Sequence, residues 1–501
     1  MNNHSTKLKI KDMDISSGAP LVAIINKKDA ERLDLHSLDR IKIKKGNKIE
    51  TVVIDIAESH KAVKHGYIGV FEEVIKSLKL RPNDKVSVTL ARKPLSLEFI
   101  KKKLDGKKLN AKEIDQIVWD IVHNKLSDVE LTYFVSACYT NVMDLDETIM
   151  LTKSIVKHGT TLNLKKYPII DKHSIGGVPG NRTTMLIVPI IAATELYIPK
   201  TSSRSITSPA GTADTMEVLA DVSFSVDKMQ KIVKKTKGCI VWGGALNLAP
   251  ADDKIIKVER PLSIDAESQL LASIMAKKLS VGSTHILIDI PTGKGSKIES
   301  TAKAIELKKQ FEIIAKKLGK KIKVILTDGS QPIGNGIGPA LEARDVLNVL
   351  TNKNGPEDLK KKSVHMAGLI LEMAGKAKKG KGEKLALEIL ESGKAYKKMI
   401  EIIKAQNAKV TKSSQIKLGK YTYNYKSNKS GVIKSIDPME ISHIARVAGA
   451  PMDKGAGVYL HYKRGDRVKK GDVLFTIYAE SDEKLGFAKE AIKGKNIVLF
   501  R

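Results

Sequence analysis

The sequence predicts a multidomain α/β protein, and three observations carry that prediction. Its 501 residues exceed what one ordinary hydrophobic core organises. The texture changes three times along the chain: short strands, then apolar residues at helical spacing, then alternating strands and helices, then strands with Gly-Asp turns. Two polar, hydroxyl- or glycine-rich loops also interrupt the third stretch, each beside an apolar run. The expected domains are a β-rich, barrel-like N-terminal domain (1–92), a helical domain (93–165, with part of 220–270 joining it), a central α/β domain (166–405) and a C-terminal α+β, hammerhead-like lobe (406–501).

In the first domain, 21–25, 40–43, 51–56, 67–71 and 85–90 alternate or cluster as short strands. No paired carboxylates or glycine nest occur there, which points to a scaffold or assembly role. Pro94 opens the helical stretch, with helices expected over 97–104, 111–123, 128–139 and 144–157. Beyond it, strands are expected at 168–170, 197–199, 285–290 and 321–326, and helices at 182–193, 266–278, 299–318 and 338–348. Lysine-rich breaks at 376–384 and 409–417 precede the last lobe, where Gly465-Asp466 and Gly471-Asp472 mark two turns.

Lys and Arg number 87 against 56 Asp and Glu, a formal charge of +31. Such a field attracts polyanions, but the excess is spread over the chain and aromatic residues are only 4%, so stacking platforms for nucleic acid are scarce. The longest strongly apolar stretch, 185–193, is too short to span a bilayer, and no apolar targeting segment follows Met1, so a cytoplasmic location without membrane partners is expected. Cys138 and Cys239 are the only cysteines and lack metal-site spacing; no metal and no cofactor are expected.

The run 201–217 holds eight hydroxyl side chains with Arg204, Pro209 and Gly211, and reads as a loop of short donors and backbone N–H groups around a polyanion rather than a core strand. Upstream, the stretch 171–184 reads as a second anion loop: Gly176, Gly177 and Gly180 allow close backbone approach, Lys172 and Ser174 add a charge and a hydroxyl, and a helix start near Asn181–Thr184 offers its N–H groups. His173 is placed to transfer a proton or orient substrate, its charge being able to change near neutral pH. Asp265 stands where a helix N-cap would, and Ser273 with Lys277 shares one helix face at i,i+4. Asp289 ends an expected strand, and 291–297 is a basic flexible loop lacking the spacing of an ATP phosphate loop.

Lys172-His173-Ser174-Ile175-Gly176-Gly177-Val178, the run from Ser202-Ser203-Arg204 through Gly211-Thr212-Ala213-Asp214 to Glu217, and Ser273 with Lys277 resemble the thymidine/pyrimidine-nucleoside phosphorylase family. The extended N-terminal domain and Ser174-Ile175-Gly176-Gly177-Val178-Pro179-Gly180-Asn181 are closest to its archaeal-type AMP phosphorylase branch. The resemblance covers essentially the whole chain. It implies a nucleoside phosphorylase type II-like helical domain plus α/β domain, and phosphorolysis of an N-glycosidic bond: AMP and inorganic phosphate would give adenine and ribose 1,5-bisphosphate, with CMP and UMP as slower substrates. Inorganic phosphate, a co-substrate, would lie by Lys172, Ser174, Thr184, Ser202 and Thr212. The nucleotide would lie by Gly177, Ser203, Arg204, Ser205, Ile206, Thr207, Ser208, Thr212, Ser273, Lys277 and Lys297. Asp265 becomes the proton donor, against its N-cap reading, with Lys172 and His173 also catalytic. Pyrimidine members grip the base with an arginine where this chain has Val258, and carry a histidine where it has Ser208; both departures favour a purine nucleotide over thymidine, the alternative substrate. A homodimer or larger homo-oligomer, closing its helical domain onto the α/β domain, is the assembly the resemblance implies.

Overall fold

The structure is a computed structural model that describes residues 5–18, 21–164, 168–205, 208–259, 261 and 266–501. The chain forms two compact units, one of residues 1–158 and 249–273, the other of residues 159–248 and 274–501.

In the first unit, strands β1 (Thr6–Asp12), β2 (Val22–Asn26), β3 (Arg40–Lys45), β4 (Lys48–Ala57), β5 (Tyr67–Val70) and β6 (Lys85–Leu90) close a barrel in the order β1-β5-β2-β4-β3-β6. Period-2 alternation builds it: Leu8, Ile10, Ile41, Ile43, Val52, Ile54, Val86 and Val88 face a dry interior while the lysines between them face out. β1 was not among the expected strands; in Lys7-Leu8-Lys9-Ile10-Lys11 the lysines outnumber the apolar residues that mark the buried face. The helices Ser96–Leu104, Ala111–Val122, Asp128–Thr140 and Leu145–Lys157 follow, with Pro250–Glu259 packed among them. Asn110/Glu113, Ser127/Glu130 and Asp144/Glu147 form capping boxes that start three of them. Glu147 is buried, and Lys103 Nζ at 3.0 Å and the Leu109 N–H at 2.9 Å satisfy it.

In the second unit, β7 (Ile170–Ser174), β8 (Ile198–Ser202), β9 (Gly238–Trp242), β10 (His285–Thr292) and β11 (Lys321–Asp328) pair in parallel as β11-β10-β7 and β8-β9. A bridge between Ile169 and Tyr197 sets β8 beside β7. The wholly buried helix Thr183–Ala192 and the helices Pro339–Leu350, Glu357–Met373, Gly382–Glu391 and Lys394–Ala405 surround one aliphatic core. The remaining strands are β12 (Gly336–Ile337), β13 (Tyr421–Lys426), β14 (Gly431–Ile436), β15 (Gly457–Leu460), β16 (Arg467–Val468), β17 (Val473–Ala479) and β18 (Val498–Phe500), in sheets β12-β15-β17-β13 and β16-β14-β18. β12 lies inside the segment expected to be α/β, yet it forms the edge of the C-terminal sheet through Gly336–Tyr459 and Ile337–Val458. Among the described residues no helix is long and apolar enough to cross a membrane.

Two expectations at the loops are corrected. Lys172, His173 and Ser174 are strand residues, because the register of β7 on β10 continues through Ser174 opposite Asp289. Thr201 and Ser202 likewise end β8, paired with Val241 and Trp242 of an apolar strand that was not anticipated. The hydroxyl-rich run therefore begins as strand and ends in the helix Thr212–Leu219.

Candidate active site

The candidate site residues gather at the carboxyl ends of parallel strands, where backbone groups no longer pair along the sheet and ligands of open α/β folds collect. Alternation along β7 divides its side chains between two faces.

On one face, Lys172 is only 1% exposed. Its Nζ donates to Thr183 Oγ1 at 2.9 Å and approaches Thr184 Oγ1 at 3.4 Å, in the first turn of the buried helix. Burial pushes its pKa down to about 7, against the pull of the Asp289 carboxylate. Ser174 donates to Asp289 Oδ2 at 2.7 Å, Thr327 donates to Asp289 Oδ1 at 2.6 Å, and Lys362 Nζ lies 3.1 Å from Oδ2. Burial opposes ionisation of Asp289, but Lys362, Lys172 and these hydroxyls outweigh it and hold its pKa below the usual carboxylate value. On the other face, Asp171 is wholly buried, 2.9 Å from Lys278 Nζ and 3.4 Å from Lys200 Nζ. Desolvation, then Lys278, Lys200 and Lys172, push His173 well below its ordinary pKa. Burial thus favours the neutral imidazole of His173, against the sequence expectation of a group that gains charge near neutral pH.

Arg182 joins the two polar segments. Its guanidinium donates to Thr212 Oγ1 at 3.0 Å and to the Ala210 carbonyl at 2.6 Å, and pairs with Glu342 at 2.5 Å; Glu342 also accepts from Thr215 at 2.7 Å. Ser202 Oγ is buried and has no hydrogen-bond partner among the described residues. Asp214 shapes the loop that follows, accepting from the backbone N–H groups of Ser205 at 2.7 Å and Gly211 at 2.9 Å. Arg204 is held by Glu217 at 2.6 and 2.8 Å and by Asp214 at 3.1 Å, with its guanidinium 4.9 Å from the Trp242 ring centre. Its charge thus clamps the loop, and Ser208 donates to the Ala210 carbonyl at 2.9 Å inside the same turn. A third segment arrives at Gly177: φ there is +105°, and a Cβ would stand 2.5 Å from the Lys297 backbone nitrogen, so glycine is required for this approach. The Lys297 N–H points to the Gly176 carbonyl at 3.4 Å, and the Lys297 side chain is exposed.

The structure thus brings together Lys172, His173, Ser174, Gly177 and Thr184, then Ser202, Ser203, Arg204, Ser205, Ser208 and Thr212, and Lys297, all within the second unit. Ser273 and Lys277 lie one turn apart on the helix Glu267–Ser280, and the division of the chain into units falls between Ser273 and Ile274. Asp265, Ile206 and Thr207 lie outside the described residues. Sequence reasoning missed Arg182, Asp214, Glu342, Lys362, Lys200 and Lys278. Asp214, three residues after Gly211 at a helix start, carried a local capping signal; the side-chain contacts described for the others span 28 residues or more and carried none. Among the described residues no group of His, Cys, Asp and Glu could hold a metal ion.

The parallel-sheet and helical-bundle parts of the chain both match the glycosyl transferase class. Residues 166–396 match the glycosyl transferase family a/b domain, residues 97–159 that family's helical bundle domain, and residues 432–498 the pyrimidine nucleoside phosphorylase C-terminal domain. The AMP phosphorylase of Thermococcus kodakarensis is 49% identical over 96% of this chain and 95% of its own length, and that of Pyrococcus furiosus 48% over 95% and 94%. An anthranilate phosphoribosyltransferase from Thermus thermophilus shares the fold, with a TM-score of 0.52 and 17% identity over 61% of this chain and 98% of its own. The chain belongs to the archaeal-type AMP phosphorylase family, within the pyrimidine-nucleoside phosphorylase superfamily.

Proposed function

We propose that the protein cleaves AMP with inorganic phosphate, releasing adenine and ribose 1,5-bisphosphate. The observation that carries this reading is Arg182, which ties the Lys172 strand end and its helix to the hydroxyl segment at Ala210 and Thr212; this supports reading Lys172, Ser174, Thr184, Ser202 and Thr212 as one anion site. Phosphate bound there gives Lys172 the anionic partner its burial lacks. Gly177, the 203–208 loop and Lys297 hold the 5′-phosphate, with Arg204 keeping that loop in shape and Ile206 and Thr207 contributing through it; Ser273 and Lys277 orient the base end.

In the reaction the C1′–N9 bond breaks with its electron pair going to adenine, and a phosphate oxygen bonds to C1′ as positive charge develops on the ribose. Asp265, protonated beforehand, gives its proton to the departing base, so adenine leaves neutral. His173, neutral, is a hydrogen-bonding group for the sugar. The enzyme is cytoplasmic and homo-oligomeric in this reading; the exposed apolar Val129, Tyr133, Tyr139 and Val142 on and after one helix of the bundle support the assembly. The last lobe is read as hammerhead-like from its two small sheets.

Phosphate-dependent base release from AMP, adenosine, CMP, UMP, thymidine and uridine tests the proposal. AMP should be preferred over adenosine by roughly 10⁴-fold, because the groups that hold a 5′-phosphate are left unpaired without it. Asp265→Asn should lower kcat by about 10²- to 10⁴-fold. Equal turnover of thymidine and AMP would instead assign a nucleoside phosphorylase, and an Asp265→Asn enzyme of near-normal rate would remove Asp265 from the chemistry.

A further inference from the structure

The hydrogen bonds around Ser174 run in one direction. Lys172 Nζ donates to Thr183 Oγ1 at 2.9 Å, and Thr183 donates its own proton to Asn181 Oδ1 at 3.1 Å. That contact orients the Asn181 amide, whose nitrogen donates to Ser174 Oγ at 3.2 Å. Ser174 in turn donates to Asp289 Oδ2 at 2.7 Å. An ionised carboxylate only accepts, so Ser174 must spend its proton on Asp289 and the chain cannot reverse at that end. The far end is held firmly: Asp289 is wholly buried, Thr327 donates to its other oxygen at 2.6 Å, and Lys362 lies 3.1 Å from Oδ2 and donates to Thr327 Oγ1 at 2.9 Å.

A serine hydroxyl has one proton and two lone pairs. The proton of Ser174 is committed to Asp289 and one lone pair to Asn181, which leaves a lone pair on a half-buried oxygen. Any ligand that reaches this oxygen must bring a proton. We propose that Ser174 accepts a hydrogen bond from the P–OH of monohydrogen phosphate, and that Asp289, held by Lys362, is the positioning residue that makes Ser174 an acceptor. The proposal rests on placing inorganic phosphate against Ser174. It deepens that placement by naming the anion: a tetrahedral oxyanion carrying a proton is selected over one without, such as sulfate. Lys172, Thr184, Ser202 and Thr212 attract both anions alike, so discrimination falls to Ser174. The oxygen that bears the proton is thereby turned away from attack, and the unprotonated oxygens remain for the lysine and for C1′.

The test measures phosphate and sulfate binding by calorimetry on the full chain, at equal ionic strength and at a pH where phosphate carries one proton. Wild type is expected to bind phosphate more tightly than sulfate. Ser174→Ala should weaken phosphate by roughly ten- to a hundredfold while sulfate changes by less than about twofold. Equal weakening of both anions, or weakening of sulfate alone, would show Ser174 donating and overturn the proposal, leaving phosphate where it was placed. No change in either anion would remove phosphate from Ser174 and end both readings. Asp289→Asn is the second variant: its amide can donate to Ser174 and free the serine proton, so the preference for phosphate over sulfate should shrink by roughly tenfold or more. A purely structural Asp289 would weaken both anions by the same factor, and that outcome also overturns the proposal.

Discussion

The N-terminal barrel and the strand ends of the α/β unit are both made of short, alternating strands, but they treat charge in opposite ways. Inside the barrel, Ile25, Ile41, Ile43, Ile54, Ile68 and Val70 are sealed from solvent, and the lysines of β1 and β3 stand outside. Its buried carboxylate, Asp29, is satisfied by the Gly66 N–H at 2.7 Å and by Arg32 at 2.8 Å, and that Arg32 side chain is half exposed. Around β7 and β10, by contrast, Asp171, Lys172, Lys200, Lys278 and Asp289 are all buried. Burying five charges is expensive unless each is paired, and such pairs rarely stabilise a fold more than apolar residues of the same size would. The barrel shows that this chain can build strands without that cost. Around β7 and β10 that cost fits the anion site proposed there.

That contrast can be broken most forcefully at Asp171. Replacing it with Asn leaves Lys200 and Lys278 facing each other without their shared carboxylate, and unfolding by denaturant should show a loss of about 3–5 kcal/mol. A loss no larger than that of an ordinary surface substitution would mean that solvent reaches this cluster and that its charges are not buried in effect.

The second effect is a pH dependence set by Lys172, whose folded-state pKa burial lowers to about 7. In the unfolded chain the same group keeps its proton up to about pH 10.4. Between those values the unfolded state binds more protons, so rising pH favours the fold, by about 1.4 kcal/mol per pH unit for this one group. Below pH 7 both states are protonated and the dependence ends. The slope of unfolding free energy from about pH 7.5 to 9.5 should fall by that amount in Lys172→Met. Saturating phosphate should flatten it in wild type by restoring the charge. An identical slope in Lys172→Met and wild type would show that the lysine keeps an ordinary pKa.

The smallest effect sharpens the comparison from the other side. Ile54→Val removes one methylene from the barrel interior and should cost about 1 kcal/mol, with kcat on AMP unchanged. A change in kcat would tie the barrel to the chemistry and undo the division of roles.

Much of this was readable in the residues themselves. Alternation in 40–43 and 51–56 specified barrel strands, because a period of two leaves only one face to bury. Apolar residues at helical spacing over 111–123, 128–139 and 144–157 specified the bundle helices, since that spacing leaves one stripe to bury. The crowd of hydroxyls at 201–217 and the glycines at 176–180 suggested an anion site, because short donors and backbone N–H groups suit a polyanion. Where Lys172 lies was misread: its polarity suggested a loop, and only pairing with β10 shows it to be strand. Arg182, Glu342 and Lys362 were invisible because their partners are far off in sequence. Glu342 is 160 residues from Arg182, and no local pattern relates them.

By itself, then, the amino-acid order determined the helices of the bundle, the alternating strands of the barrel and the family to which the chain belongs, since each is encoded in neighbours along the chain. The tertiary structure alone decided which charges meet and which way each hydrogen bond points. Those depend on register between strands and on groups brought together from distant positions, where a proton can go only to whatever acceptor the fold has placed within reach.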